Sequence, residues 1–249
     1  MTPLVSFGGG VNSTAMTLLI MEDPRFAALR PGLRLLFADT GSEIPETYAW
    51  VWHFAGWIRD RYGLTLEVVR NPESLEDKCL RQRIIPSRNL RWCTWHHKQK
   101  VLYQAARRFP QPVLWLIGID DGESGRAHKG RWSASRQKSS LVRFPLIEAH
   151  MDREACMRFM QTHGLPVPRK SGCFFCPFAP LAHWTWLARE HPDLFARACQ
   201  LEEQGQGFHR GFTLRHKPLR LLVDKTQRRQ VEQNDLFCGS CTGTLPEAR

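Results

Sequence analysis

Along the first half of the chain, short apolar runs alternate with stretches of helical periodicity. Residues 4–7 form an apolar run that breaks at three glycines. Ala15, Met16, Leu18, Leu19 and Ile20 then recur at helical spacing, with Asn12 or Ser13 placed to cap the helix they predict. Residues 33–38 form a second run, ending at Asp39-Thr40-Gly41. Pro45 opens a long helix whose apolar side carries Trp50, Phe54, Trp57 and Ile58, and Gly63 closes it. Residues 64–69 predict a third strand, residues 98–108 a helix, and residues 113–119 a fourth strand. Strands and helices alternating at this spacing predict an α/β fold, a parallel sheet of about five strands with helices on both faces. Ligands in such folds sit at the carboxyl ends of the strands. The residues that follow the first, second and fourth runs are therefore the first places to search.

The second half is patterned differently. Residues 121–143 carry Arg126, Lys129, Arg131, Arg136, Lys138 and Arg143 among glycines and serines, and predict a long basic loop. Asp152 is placed to cap a helix that ends at Gly164. Pro166, Pro168 and Gly172 break the pattern before Cys173, and two further helices are expected over residues 181–190 and 192–204. The organisation expected is an α/β domain over residues 1–165, whose ligand the turns at its strand ends must indicate. A cysteine-bearing helical region over residues 166–249 would pack on the carboxyl edge of its sheet.

Composition narrows the partners. The chain has 249 residues, 42% hydrophobic and 24% charged, which is globular rather than disordered. Lys and Arg number 35 against 24 Asp and Glu, a formal charge of +11. A protein this basic meets anions: a nucleotide, a nucleic acid or an acidic surface. No apolar run reaches the ~18 residues of a membrane span, and the start, MTPLVSFGGG, has no long apolar stretch. A cytoplasmic location without a membrane partner is expected. Thiols stay reduced there, so the eight cysteines are packing residues, metal ligands or nucleophiles rather than a disulfide framework.

The turn Ser6-Phe7-Gly8-Gly9-Gly10-Val11-Asn12-Ser13-Thr14 follows a strand and opens a helix. Glycines let backbone N–H groups close on an anion, and the helix N-terminus adds its dipole. Ser13 and Thr14 add hydroxyl donors. That is phosphate-binding chemistry without the lysine of a Walker loop or the spacing of a dinucleotide fingerprint. The competing reading is a tight turn with no ligand.

This turn resembles the S-G-G-x-D-S pyrophosphatase loop of the adenine-nucleotide α-hydrolase-like superfamily. Gly8 stands where the loop has serine, and Asn12 where it has aspartate. Phe37-Ala38-Asp39-Thr40-Gly41 followed by Glu46-Thr47 resembles the D-T-G…E-T strand end of the phosphoadenosine phosphosulfate (PAPS) reductase-like branch. Arg91-Trp92-Cys93-Thr94 with Lys98 resembles its R-x-C-T…K segment. Gly118-Ile119-Asp120-Asp121-Gly122-Glu123-Ser124-Gly125-Arg126 resembles its G-I-R-x-x-E-S-x-x-R segment, with Asp120 in the arginine position. Phe144-Pro145-Leu146-Ile147 and Gly172-Cys173-Phe174-Phe175-Cys176-Pro177 resemble its P-L-x…G-C-x-x-C-P end. The resemblance implies a Rossmann-like sheet that binds an adenine nucleotide, ATP or the sulfonucleotides PAPS and APS, with Mg²⁺. The binding residues it implies are Ser6 to Gly10, Asn12, Ser13, Thr14, Asp39, Thr40, Gly41, Lys98, Gly118, Glu123, Ser124 and Arg126.

Cys173 and Cys176 form one C-x-x-C, and Cys238 and Cys241 another. Two such pairs can complete a four-sulfur site for Zn²⁺ or an iron–sulfur cluster. A reduced, unliganded pair is the plain alternative. Cys93 is a fifth candidate ligand, because members that carry a [4Fe–4S] cluster use a cysteine there. Cys156 and Cys199 fall in amphipathic helices as core fillers, whereas Cys79 fits either role. Sulfonucleotide reductases end in E-C-G-[LI]-H, and here Cys238-Gly239 matches without the glutamate or the histidine. Cys238, Cys241 and Asn12 are the candidate catalytic residues.

Trp50, Trp52, Trp57, Trp184 and Trp186 are expected to pack in the core or between helices. Trp92, Trp95 and Trp132 lie among Arg88, Arg91, His96, His97, Lys98 and Arg131, which suits a flipped or single-stranded base as well as a nucleotide pocket. The activity expected is ATP-dependent thiolation of a nucleic acid, with sulfur from a cysteine desulfurase or a thioredoxin-like donor. A sulfonucleotide reductase making sulfite and a non-catalytic binding protein are the alternatives.

Overall fold

A computed structural model of the chain describes residues 1–128, 140–206, 214 and 217–224. These residues fall into two units, Met1–Glu76 with Trp92–Cys173, and Asp77–Arg91 with Phe174–Arg249. The division falls at Cys173 rather than residue 165, and assigns Asp77–Arg91 to the second unit.

The first unit is built on five parallel strands: β1 (Thr2–Phe7), β2 (Arg34–Asp39), β3 (Leu66–Arg70), β4 (Val113–Ile117) and β5 (Ser140–Arg143). Their order is β3-β2-β1-β4-β5. Successive side chains of a strand point to opposite faces, and both faces are covered here. Val5, Phe7, Leu114 and Leu116 face one core, with α1 (Val11–Glu22), α2 (Pro45–Tyr62) and α7 (Arg153–Thr162). Leu4, Val113, Trp115 and Ile117 face the other, with Val101, Leu102 and Ala105 of α4 (Lys100–Ala106). That is why β4 is buried along its whole length and its sequence has no polar alternation. Phe54 stacks on Phe7 at 5.2 Å and is fully buried, a burial that contributes about 1.5–3 kcal/mol.

Several expectations are corrected. The stretch expected as a loop from residue 121 contains α5 (Ser124–His128) and β5; residues 129–139, with Trp132 and four of the basic residues, lie outside the described residues. β5 is a short edge strand, and only Leu141 and Val142 in it carry an apolar signal. The N-cap of α1 is Gly10, not Asn12 or Ser13. β4 stops at Ile117, and the helix expected from residue 98 begins as a π-helical turn over Thr94–Gln99. Trp52 is 58% exposed, because it lies about 200° around α2 from the buried Trp50. α2 otherwise runs between the predicted Pro45 and Gly63, and Asp152 caps α7, its carboxylate accepting from the Ala155 amide at 2.7 Å.

The second unit contains α8 (Leu181–Glu190), α9 (Pro192–Gln206) and a helical turn at residues 219–224. Trp184, Leu187, Ala198 and Cys199 are buried in it. Glu202 is 3% exposed and accepts from the amides of Leu214 and Leu219, each at 2.8 Å, which ties those residues to α9. No helix among the described residues is long and apolar enough to cross a membrane.

Candidate nucleotide site

The sheet order reverses between β1 and β4, and in open α/β sheets the crevice outside such a switch point is where ligands bind. β1 ends at Phe7, and the chain turns through Gly8, Gly9 and Gly10 into α1. Gly9 has φ +67°, and a Cβ there would stand 3.0 Å from Val51. Ser13 Oγ and Thr14 Oγ1 both donate to the Gly10 carbonyl, at 3.1 and 3.0 Å. Ser13 Oγ also accepts from the Gly10 amide at 3.4 Å, but Gly10 has no side chain with which to cap the amides that follow it. The first-turn amides of α1, with their partial positive charge, are left for a ligand. Across the crevice, Gly118 follows β4 and packs on the same turn of α1.

Between these two strand ends lies a cavity of about 730 Å³. Of the sequence-predicted residues, Ser6, Gly8, Gly10, Asn12, Ser13, Gly118, Glu123 and Arg126 line it. Phe7, Gly9, Thr14 and Ser124 do not. Phe7 and Thr14 are buried, and the Thr14 hydroxyl accepts from the Trp50 indole at 3.2 Å. The far wall holds residues that local patterning misses: Asp120, Asp152, Arg153, Glu154, Lys170 and Ser171. The lining therefore carries three cationic side chains and four carboxylates. Arg126 is paired with Glu123. Asn12 Nδ2 donates to Asp120 Oδ2 at 2.7 Å, and the other carboxylate oxygen accepts from the Glu123 amide at 3.1 Å.

The end of β2 forms a separate cluster. Asp39 Oδ1 accepts from the Gly41 amide at 2.8 Å and from the Tyr48 hydroxyl at 2.7 Å. Burial, with the Asp39 carboxylate beside it, pushes the Tyr48 phenol well above the usual tyrosine range. Glu43 organises the rest. Its side chain is 1% exposed, and its Oε1 accepts from Thr40 Oγ1 at 3.1 Å and from Lys98 Nζ at 3.0 Å. Cys173 Sγ donates to it at 3.6 Å and lies 3.2 Å from Thr40 Oγ1. Sequence reasoning missed Glu43; the only signal was a carboxylate in the short connection from Asp39 to Pro45. Asp39, Thr40, Gly41 and Lys98 are not among the residues lining the β1–β4 cavity.

Of the candidate metal ligands, Cys173 belongs to this cluster in the first unit, Cys93 is half-buried, and Cys176 belongs to the second unit. Cys238 and Cys241 lie outside the described residues. Among the described residues no three His, Cys, Asp or Glu side chains are gathered as a metal site. The described cysteines by themselves therefore do not fit a four-sulfur group. Cys79, Cys156 and Cys199 are all buried. Burial, with the Asp120 carboxylate next, pushes the Cys156 thiol up to about 12, and burial pushes Cys199 up to about 11. Such thiols pack rather than react.

The sequence profile of the phosphoadenosine phosphosulfate reductase domain matches residues 2–189. The chain belongs to that family. The matched span holds the glycine turn, the cavity and Cys93, Cys173 and Cys176; Cys238 and Cys241 follow it. No curated protein matches the chain. Two solved structures are among those that match the chain. One is a phosphoadenylyl-sulfate reductase from Candida auris in its phosphate complex, 14% identical, with 70% of this chain and 81% of that one covered and a TM-score of 0.42. The other is the U34-tRNA thiolase NcsA from Methanococcus maripaludis with its [4Fe–4S] cluster, 13% identical, with 92% and 71% covered and a TM-score of 0.49. In this PAPS reductase-domain chain, the cavity at the switch point lies within the matched residues.

Proposed function

We propose that this chain binds ATP in the β1–β4 crevice and uses it to activate an oxygen of a nucleic acid for replacement by sulfur. The cavity carries the reading: a glycine turn, the uncapped start of α1 and the cations Arg126, Arg153 and Lys170 converge on one space of nucleotide size. The formal charge of +11 supports a polyanionic acceptor. In the first step an acceptor oxygen attacks the α-phosphorus. The bond from that phosphorus to the bridging oxygen of the β-phosphate breaks, and pyrophosphate leaves with the electron pair. A sulfur nucleophile then attacks the activated carbon, and AMP leaves with the electrons of the carbon–oxygen bond. The first-turn amides of α1 and the nearby cations would hold the phosphates in line. A persulfide on one of Cys173, Cys176, Cys238 and Cys241 would supply that sulfur: its outer sulfur attacks, a second of these thiols then takes the inner sulfur as a disulfide and releases the thiolated acceptor, and a thioredoxin-like donor reduces the disulfide.

One observation favours a second reading, reduction of PAPS or APS to sulfite: the family match itself. Against it stand Asp120 in the arginine position and a Cys238-Gly239 tail without its glutamate and histidine. The test incubates the full chain with Mg²⁺ and ATP, with and without bulk RNA, and follows pyrophosphate. A parallel assay gives it PAPS or APS with a thioredoxin and follows sulfite. Pyrophosphate that requires RNA supports the thiolation reading. Sulfite from either sulfonucleotide overturns it in favour of the reductase. Nucleotide binding without turnover in both assays overturns both in favour of a binding protein.

A further inference from the structure

The turn that follows Cys176 carries an aromatic ring in the open. Phe174 and Phe175 are buried, but Phe178 is 42% exposed. The turn is closed, with the Ala179 amide donating to the Cys176 carbonyl at 3.0 Å. Phe178 is therefore held on the same turn as the half-buried Cys176. Two guanidiniums lie over its ring, Arg91 at 4.6 Å from the centroid and Arg88 at 5.9 Å. All of these residues belong to the second unit.

The two arginines are held in place. Arg88 Nε donates to the Pro177 carbonyl at 3.1 Å. The stretch between them is a closed turn: the Leu90 amide donates to Ser87 Oγ at 3.0 Å, and the Ser87 amide to the Leu90 carbonyl at 3.2 Å. Both arginines are exposed, and neither pairs with a carboxylate among the described residues. A guanidinium has five N–H donors, so most of those on Arg88 remain after its bond to Pro177.

Three side chains thus offer a π-surface flanked by two cations. An acidic peptide would satisfy the arginines and leave the ring uncovered. An apolar partner would cover the ring and bury two unpaired charges. A nucleic-acid strand does neither: its bases stack on rings and guanidinium planes alike, and its phosphates are the anions. A duplex keeps its base faces in its own stack, so the strand must be unpaired, which is how the loops of folded RNA present their bases.

We infer that Arg88, Arg91 and Phe178 form a stacking platform for an unpaired base in an RNA loop, with the arginines on the flanking phosphates. The base then lies beside the turn that carries Cys176, one of the thiols proposed above to supply sulfur. The inference rests on the nucleic-acid acceptor of the proposed function and not on the nucleotide cavity.

Binding by the full chain is measured by fluorescence anisotropy with an end-labelled RNA hairpin, an RNA duplex of the same length and a DNA hairpin of the same sequence. The wild type should bind the RNA hairpin about tenfold or more tighter than the duplex, and at least as tightly as the DNA hairpin. Phe178→Ala should weaken hairpin binding about tenfold, and Phe178→Trp should keep it. Arg88→Gln and Arg91→Gln should each weaken it and lower the slope of log affinity against log salt by about 0.7. Arg34→Gln, at an exposed arginine that opens β2, is the control and should change neither. The substituted side chains are exposed, and circular dichroism checks that each variant folds. Hairpin affinity unchanged in Phe178→Ala and in both arginine variants overturns the platform while leaving a nucleic-acid acceptor standing. Equal affinity for the duplex overturns the stacking. Tighter binding of the DNA hairpin overturns the assignment to RNA. A wild-type dimer that Phe178→Ala splits into monomers of full RNA affinity gives the patch to a second copy of the chain instead. No RNA binding by the wild type overturns the acceptor reading together with this one. Platform-dependent RNA binding without pyrophosphate release supports the platform and overturns the proposed activity.

Discussion

Gly118 lies so close to Ser13 that a Cβ on it would stand 3.0 Å from the Ser13 amide nitrogen and 3.1 Å from the Asn12 carbonyl carbon. Both neighbours are backbone, so nothing flexible can yield. Gly118→Ala must push the end of β4 away from the start of α1, which are the two walls of the crevice. The expected cost is about 1–3 kcal/mol of stability by urea denaturation. ATP affinity should fall by about tenfold or more, because the first-turn amides move off the phosphates. Gly56 in α2 is the control, since its Cβ would meet nothing within 4 Å. Gly56→Ala should leave ATP binding unchanged and stabilise by about 0.5–1 kcal/mol.

What the sequence reveals of this arrangement depends on how local each signal is. β1, β2 and β4 can be read because a strand buried on both faces is an apolar run, β3 because Val68 and Val69 follow Leu66 after the Gly63 stop, and α2 because Pro45 and Gly63 punctuate it. The glycine turn can be read because its chemistry needs glycines at fixed positions. β5 cannot, since its register with β4 is a long-range fact and two apolar residues carry no pattern. The far wall of the cavity is hidden for the same reason. Arg153 and Glu154 read as the first turn of a helix capped by Asp152, and only the placing of α7 brings them to a turn some 140 residues earlier in the chain. Glu202 reads as the polar face of α9 and is instead a buried staple for two backbone amides. The Asn12–Asp120 bond needs both halves at once. The sequence marks each residue as a departure, and the fold makes the two departures a single change.

The Glu43 carboxylate joins Lys98, Thr40 and Cys173, and its energetic weight can be measured. Lys98 is 40% exposed, so solvent screens the pair and its coupling is modest. A double-mutant cycle of Glu43→Gln and Lys98→Met should return a coupling of about 0.5–1.5 kcal/mol. Glu43→Ala should cost more than Glu43→Gln, by about 1–2 kcal/mol, because the buried Thr40 hydroxyl then loses its acceptor. Chemical denaturation of the four proteins checks this. A zero coupling would mean that the Glu43–Lys98 contact adds nothing to the stability of the fold.

The cysteines should separate by pH. Cys156 is pushed up to about 12, first by burial and then by Asp120 and Asp152. Cys199 is pushed up to about 11, mostly by burial. At pH 8 their thiolate fractions are then about one in ten thousand and one in a thousand, against about one in ten for a thiol at its ordinary value of 9. A short iodoacetamide pulse at pH 8, read by peptide mass spectrometry, should leave Cys156 and Cys199 unmodified. Because the folded values lie above the unfolded one, the folded state holds these protons more tightly. The stability this gives is complete below pH ~9 and is lost as pH rises through the folded values. Tm should therefore fall between pH 9 and 11, and Cys156→Ala should flatten that fall. Asp120→Asn should move Cys156 alkylation to lower pH without making it fast at pH 8, since burial is the larger cause and remains. If Cys156 is instead modified rapidly at pH 8, the first unit opens around α7 far more readily than its packing allows.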